Sequence, residues 1–217
     1  MTRPVKRRRD KLAPDPDIRR VIVTATSEIV REQGVRGLSV AAVLERAELS
    51  TRAFYRHFES KDQLVAAIFH EMAHAEERRL RKRMAKATNP VEAVAAWIDG
   101  RLDLAFDEKI KSDLRRLSLE AQSQMFAAPE LIQPAYEEML KPLIEQLQRG
   151  LILGAFLDID PVTDAQAIQG VVWASTERQW AAGDCQRAEV RQRALRFCLR
   201  GLGVTPETTT EIAARHW

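Results

Sequence analysis

Cysteine is nearly absent from this 217-residue chain, which holds only Cys185 and Cys198. Two thiols exclude a disulfide framework and a cysteine metal cluster. Aromatic residues make up 6%, and glycine and proline number nine each. No apolar run approaches the roughly 18 residues that cross a bilayer. The N-terminus is basic but lacks the apolar core of a secretory signal. A cytoplasmic protein with no membrane partner is therefore expected. What remains, 45% hydrophobic and 30% charged residues, is the make-up of an ordinary globular protein. The length suits one large domain or two small ones.

The formal net charge of +3 hides an asymmetry. Through Lys61 there are 14 Lys and Arg against 8 Asp and Glu, a net of +6, and the remainder carries 20 against 23, a net of −3. The run Lys6-Arg7-Arg8-Arg9 adds a basic arm, read as disordered over 1–14. Such a distribution is expected where the N-terminal part meets nucleic acid. It also fits an anionic membrane surface or a solubilising tail.

Strand signals are missing too: no period-2 alternation stands out, and there is no internal repeat. Helix signals fill the chain instead. Asp15-Pro16 starts a helix whose Ile18, Ile22, Ala25 and Ile29 recur at helical spacing before Gly34 closes it. Ser39 caps a second helix with Val40, Val43, Leu44 and Ala47 inside. Ser50 caps a third, and only Glu48 and Leu49 lie between, so the chain must turn sharply. Ser60 with Gln63 forms a capping box for a long fourth helix, along which Leu64, Ile68, Met72 and Ala75 recur. Five more helices follow: from Asn89-Pro90 to Phe106, about 109–127, from Pro129 to about Leu153, about 162–182, and about 187–202. The reading is all-α, three short helices followed by longer ones packed as a bundle.

The stretch LSTRAFYRHFESKDQL, residues 49–64, carries the sharpest signal. If Thr51–Phe58 is helical, at about 100° per residue, Phe54 and Phe58 share one face and Arg52 and Arg56 fall opposite. Tyr55 and His57 lie on the flanks. A helix that buries an aromatic stripe and projects two guanidinium groups suits a polyanion, because arginine forks match phosphate oxygens or the acceptor pair of guanine. The plain alternative is an amphipathic helix with a solvated basic face.

Two short helices across a tight turn, the second basic and aromatic, match a helix-turn-helix. Residues 18–68 resemble the DNA-binding domain of the TetR family of transcriptional regulators. The resemblance rests on Ile22, Ala25 and Gly34, on LSVAAVLERAELS, and most of all on AFYRHFESKDQL. LQRGLILGAFLDIDP and LRFCLRGLGV extend it more loosely toward the C-terminus. It implies an N-terminal three-helix helix-turn-helix domain (15–62) joined by a long helix to a C-terminal helical ligand-binding and dimerisation domain (63–205), with a tail over 206–217. It implies a homodimer that binds a palindromic double-stranded DNA operator, in the manner of a repressor, and leaves it when a small-molecule inducer binds. It further implies that Tyr55 and His57 touch phosphates, that Lys61 holds one beside a helix N-terminus, and that Ser39 reaches the DNA backbone. Thr51, Arg52 and Arg56 are the candidates for base readout. Two departures from the family stand out. Glu48 occupies a turn position where many relatives have glycine, and Arg52-Ala53 replaces a small residue followed by threonine.

His70-Glu71-Met72-Ala73-His74 satisfies the H-E-x-x-H pattern of zinc peptidases. The metzincin extension would place glycine and histidine where this chain has Glu77 and Leu80. Arg78 to Arg83 crowd the next turns with positive charge. The pattern is read as two solvated histidines rather than a hydrolase site, and no catalytic residue, metal or cofactor is expected.

For the inducer, candidates are sparser. Val94, Trp97, Ile98 and Ala105 form an apolar face with Arg101 near its centre. A buried cation must be paired, either by an internal carboxylate such as Glu120 or by an anionic ligand. Met125, Phe126 and Tyr136 are placed at a pocket mouth, and Trp173, Glu177 and Trp180 share a face. Ile168, Val172, Ser175 and Gln179 line one side of the eighth helix and Gly170 with the tryptophans another; Leu195, Cys198, Leu199 and Leu202 line the ninth. Two faces to bury suggest a core on one side and a partner on the other. The rival without a ligand is a DNA-binding protein whose C-terminal core is packed solid.

Overall fold

The computed structural model describes residues 15–107, 113–183 and 185–215, apart from the side chains of 113–115 and Phe126. The basic arm, residues 1–14, lies outside the described residues. Among the latter there are ten helices and no strand: α1 (Pro16–Gly37), α2 (Val40–Ala47), α3 (Thr51–Tyr55), α4 (Lys61–Met84), α5 (Pro90–Phe106), α6 (Asp113–Ala127), α7 (Pro129–Ile152), α8 (Pro161–Ala182), α9 (Arg187–Gly201) and α10 (Pro206–Ala214). The chain divides into two compact units between Ile68 and Phe69, inside α4 and six residues beyond the expected boundary at 62.

In the N-terminal unit, caps decide where helices begin. Asp15, Ser39 and Ser50 each accept a hydrogen bond from a backbone N–H of the following turn, satisfying a donor the helix itself cannot. The Ser60 hydroxyl accepts from Gln63 N at 3.1 Å, and Gln63 Oε1 accepts from Glu59 N at 2.8 Å, a capping box shifted back by one residue. Gly34 breaks α1 with φ 71 and ψ 174, a conformation essentially reserved for glycine. Ile22, Ile29, Val43, Phe54, Phe58 and Leu64 close the small core. On its surface Arg46 grips Glu32 with both guanidinium nitrogens, at 2.9 and 2.8 Å, tying α2 to α1.

In the C-terminal unit, α5 is the centre. Every residue from Pro90 to Leu104 is buried, so no face of this helix meets solvent along that span. It nevertheless carries four charges, each answered from elsewhere. Glu92 meets Arg215 at 2.5 Å, Asp99 meets Arg191 Nε at 2.6 Å, Arg101 meets Glu76 at 2.6 Å, and Asp103 meets Arg83 and Arg187 at 2.5 and 2.7 Å. α7 and α8 pack on α5, and α10 covers α9.

Several expectations are corrected. The third helix ends at Tyr55 rather than Phe58: Arg56 remains in the right-handed helical region, but His57 N bonds back to Phe54 O in a tightened turn. Leu64 and Ile68 are buried as expected, but Ala75 is exposed, and beyond Ile68 the inner stripe of α4 runs through Phe69, Ala73, Glu76 and Leu80. The carboxylate that receives Arg101 is Glu76, not the expected Glu120. Residues 206–214, read as a tail, form α10, because Thr205 caps it, Pro206 suits its first turn, and Thr209 and Ile212 are buried.

Candidate DNA-binding and ligand sites

α3 displays the predicted division. Phe54 and Phe58 are buried with ring centroids 5.9 Å apart, and the Arg19 guanidinium lies 5.2 Å over the Phe58 ring. Thr51, Arg52, Tyr55 and Arg56 are exposed. The Tyr55 ring meets Phe54 edge-on at 5.3 Å, which holds its phenol outward. Because Arg56 keeps helical backbone angles, the two arginines stay about one turn apart on the outer face. Lys61 opens α4, beside the unsatisfied N–H groups of that helix. Ser39 Oγ accepts from Ala42 N at 3.1 Å, which leaves its hydroxyl hydrogen available to donate.

His57 differs from the expectation. Both ring nitrogens are buried and have no hydrogen-bond partner among the described residues, so neither is offered to a phosphate in this arrangement. Desolvation, followed by the Arg56 charge, lowers its pKa and favours the neutral ring.

The turn before α3 answers the glycine question. Glu48 takes φ 52 and ψ 41, the left-handed conformation that glycine adopts freely. The turn geometry is kept, at the cost of a strained side-chain-bearing residue.

The C-terminal unit contains a small cavity of about 30 Å³ between α4, α5, α6, α7 and α8. That is room for about two waters. Arg101 and Glu76 form its polar wall, and Met72, Ile132, Tyr136 and Trp173 are among its apolar ones. Burial pushes the Glu76 carboxyl up, but the Arg79 hydrogen bonds and the Arg101 and Arg79 charges more than offset this and hold it below the usual carboxylate range. Beyond Tyr136 and Trp173 lies an open cleft of about 380 Å³, lined also by Met125, Gln122 and Gln169. Tyr136 donates to Gln122 Oε1 at 2.8 Å, and burial raises its pKa. Gln169 is buried, and its amide has no partner among the described residues.

The structure thus brings Arg101, Tyr136, Trp173 and Met125 to these two spaces. Trp97 is fully buried and lines neither, and Glu177 is exposed and lines neither. Phe126 has a side chain outside the described residues. Sequence reasoning missed Glu76, although a carboxylate within the apolar stripe of α4 was a usable signal.

Residues 22–68 match the bacterial regulatory proteins of the tetR family. That stretch, α1 to the start of α4, is the part of the chain similar to the family's DNA-binding domain. The chain matches no curated protein in sequence, but its fold is shared with solved structures. The crystal structure of RolR in complex with resorcinol is 20% identical with a TM-score of 0.65, covering 92% of this chain and 94% of that one. FadR from Bacillus subtilis in complex with stearoyl-CoA is 18% identical with a TM-score of 0.66, covering 84% and 98%. The fatty acid degradation regulator FadR from Bacillus halodurans is 19% identical with a TM-score of 0.66, covering 88% and 99%. No helix among the described residues is long and apolar enough to cross a membrane.

Proposed function

We propose that this protein is a tetR-family transcriptional regulator, a cytoplasmic homodimeric repressor that binds a palindromic operator and leaves it when a small molecule binds. The observation that carries the reading is α3 with the turn that follows it, where buried Phe54 and Phe58 hold exposed Arg52 and Arg56 outward. A helix of this kind in a major groove sets an arginine against guanine, a contact worth about 1–3 kcal/mol of discrimination. Thr51 shares that outer face. Tyr55, Lys61 and Ser39 contribute phosphate contacts that fix register. Homodimerisation is supported by α8 and α9, where Ala167, Gly170, Ala174 and Ala181 form an exposed ridge of small residues and Phe197 is 67% exposed.

The inducer would enter through the open cleft and displace Trp173 or Tyr136 to reach Arg101. A ligand that prefers the DNA-incompetent conformation lowers operator affinity by its differential binding. The volume of the inner cavity favours the rival reading, a regulator without a ligand, as long as those walls stay closed.

The test is selection of bound DNA from a random pool, followed by affinity measurements on operators varied one position at a time. Symmetric half-sites are expected, and Arg52→Ala or Arg56→Ala should relax preference at one symmetric base pair. If neither variant alters the ranking of bases, the arginines are phosphate clamps and readout lies elsewhere.

A further inference from the structure

Outside both sites, one face of α4 carries His70, His74, Glu77 and Arg81 at successive turns, and α7 brings Glu138, Lys141 and Glu145 to it. His74 Nδ1 lies 3.4 Å from Glu138 Oε1 and 4.0 Å from Glu77 Oε2. These three ligand-type atoms all fall within 4.8 Å of one another. Two atoms bound to one tetrahedral zinc ion, at about 2.0–2.2 Å each, lie about 3.4 Å apart. The His74 and Glu138 separation already has that value.

The remaining oxygens are held in the way that metal-bound carboxylates are held. Glu77 Oε1 accepts from Arg81 Nε at 2.7 Å, and Arg81 is fixed by Glu145 at 2.6 and 2.8 Å. Glu138 Oε2 accepts from Lys141. Each carboxylate therefore spends one oxygen on an orienting cation and turns the other toward the imidazole, the outer-shell arrangement that positions metal ligands. His70 packs edge-on against His74 at 4.5 Å between ring centroids and restricts its rotation. The basic run that argued against a cation is accounted for in part. Arg79 bonds to Glu76 and Gly100, and Arg83 to Asp103, all on the side of α5.

We infer that His74, Glu77 and Glu138 bind one divalent transition-metal ion, with zinc as the representative ion and water in the fourth position. The set differs from the H-E-x-x-H reading. It takes the second histidine of that motif, omits Glu71, and recruits a carboxylate from α7. An imidazole with two carboxylates suits zinc better than magnesium or calcium, which favour all-oxygen sites. The ion would cross-link α4 to α7 within the C-terminal unit.

The test uses the untagged full-length chain, stripped with chelator and titrated with zinc chloride by calorimetry. One zinc per chain is expected. His74→Ala and Glu138→Gln should each weaken binding at least about tenfold, while Glu71→Gln leaves it unchanged. Circular dichroism checks that the variants keep their helices. Should either variant fail to fold, cobalt(II) added to the wild type supplies the readout. A four-coordinate visible absorption band supports the site, and a six-coordinate spectrum like that of the aqueous ion overturns it. Wild-type-like zinc affinity in both folded variants also overturns it.

Discussion

Arg52 and Arg191 are the same residue type put to opposite uses. In the N-terminal unit Arg52 of α3 and Arg56 at its cap stand in solvent, held out by a buried aromatic pair. In the C-terminal unit Arg191 is 4% exposed, bonds to Asp99, and donates to the carbonyls of Ala213 and Arg215. An exposed guanidinium adds little to stability and remains free to meet a ligand. A buried one adds no recognition and is destabilising unless every donor is matched. The difference teaches where mutation should be read as binding and where as folding.

The sharpest way to break the comparison is to unpair the buried set. Asp99→Ala leaves the Arg191 charge uncompensated and should cost about 3–5 kcal/mol, visible as an early thermal transition of the C-terminal unit. Arg52→Ala should shift stability by no more than about 0.5 kcal/mol. Equal losses from the two would erase the distinction. Phe58→Ala should also cost about 3–5 kcal/mol, since it truncates a fully enclosed aromatic. Its effect should be confined to the N-terminal unit, as hydrogen exchange would report.

Acid separates the units by pH. The lowered pKa of His57 means that the unfolded chain binds its proton first. The N-terminal unit should therefore lose stability as pH falls through the ordinary histidine value of about 6.5. Glu76 is held low, so its contribution is complete above the ordinary carboxylate value and is lost only as pH falls from there through its depressed folded-state pKa. Melting curves between pH 7 and 4 should show the N-terminal transition moving first, and His57→Gln should remove that early movement. The smallest effect is a gain. Glu48→Gly relieves a left-handed residue and should stabilise the helix-turn-helix by about 1 kcal/mol, measured by denaturant midpoint.

How much could be read beforehand follows the same division. The N-terminal unit was legible because its signals are local: caps one turn from their targets, an aromatic pair four residues apart, a two-residue turn. Even there the end of α3 was overestimated, because Arg56 is still helical in backbone while His57 already turns away. The burial of the His57 nitrogens was not legible, since it depends on what packs over the ring. In the C-terminal unit the helices themselves were readable, with Pro90 and Pro129 marking two of their starts. The need for a partner to Arg101 was legible too, but its identity was not. Glu76 is 25 residues away, and sequence spacing says nothing about which helix supplies the carboxylate. Glu177 faces outward although it shares a helix with Trp173, and helical spacing alone does not say which side of α8 is covered. The C-terminal tail was misread because nine residues with few apolar positions look like a loop until α9 is there to receive Ile212.

The charges on α5 also set a schedule for folding. Glu76 and Arg83 precede their partners Arg101 and Asp103 by 25 and 20 residues, but the other partners lie far downstream: 84 residues for Asp103 and Arg187, 92 for Asp99 and Arg191, and 123 for Glu92 and Arg215. During synthesis α5 leaves the ribosome long before α9 and α10, so Asp99 and Glu92 wait for Arg191 and Arg215. Closing such long loops costs chain entropy before any contact repays it. The helix that ends up deepest is thus among the last to have all its charges answered, and Arg191 with Arg215 acts as the clasp that shuts it.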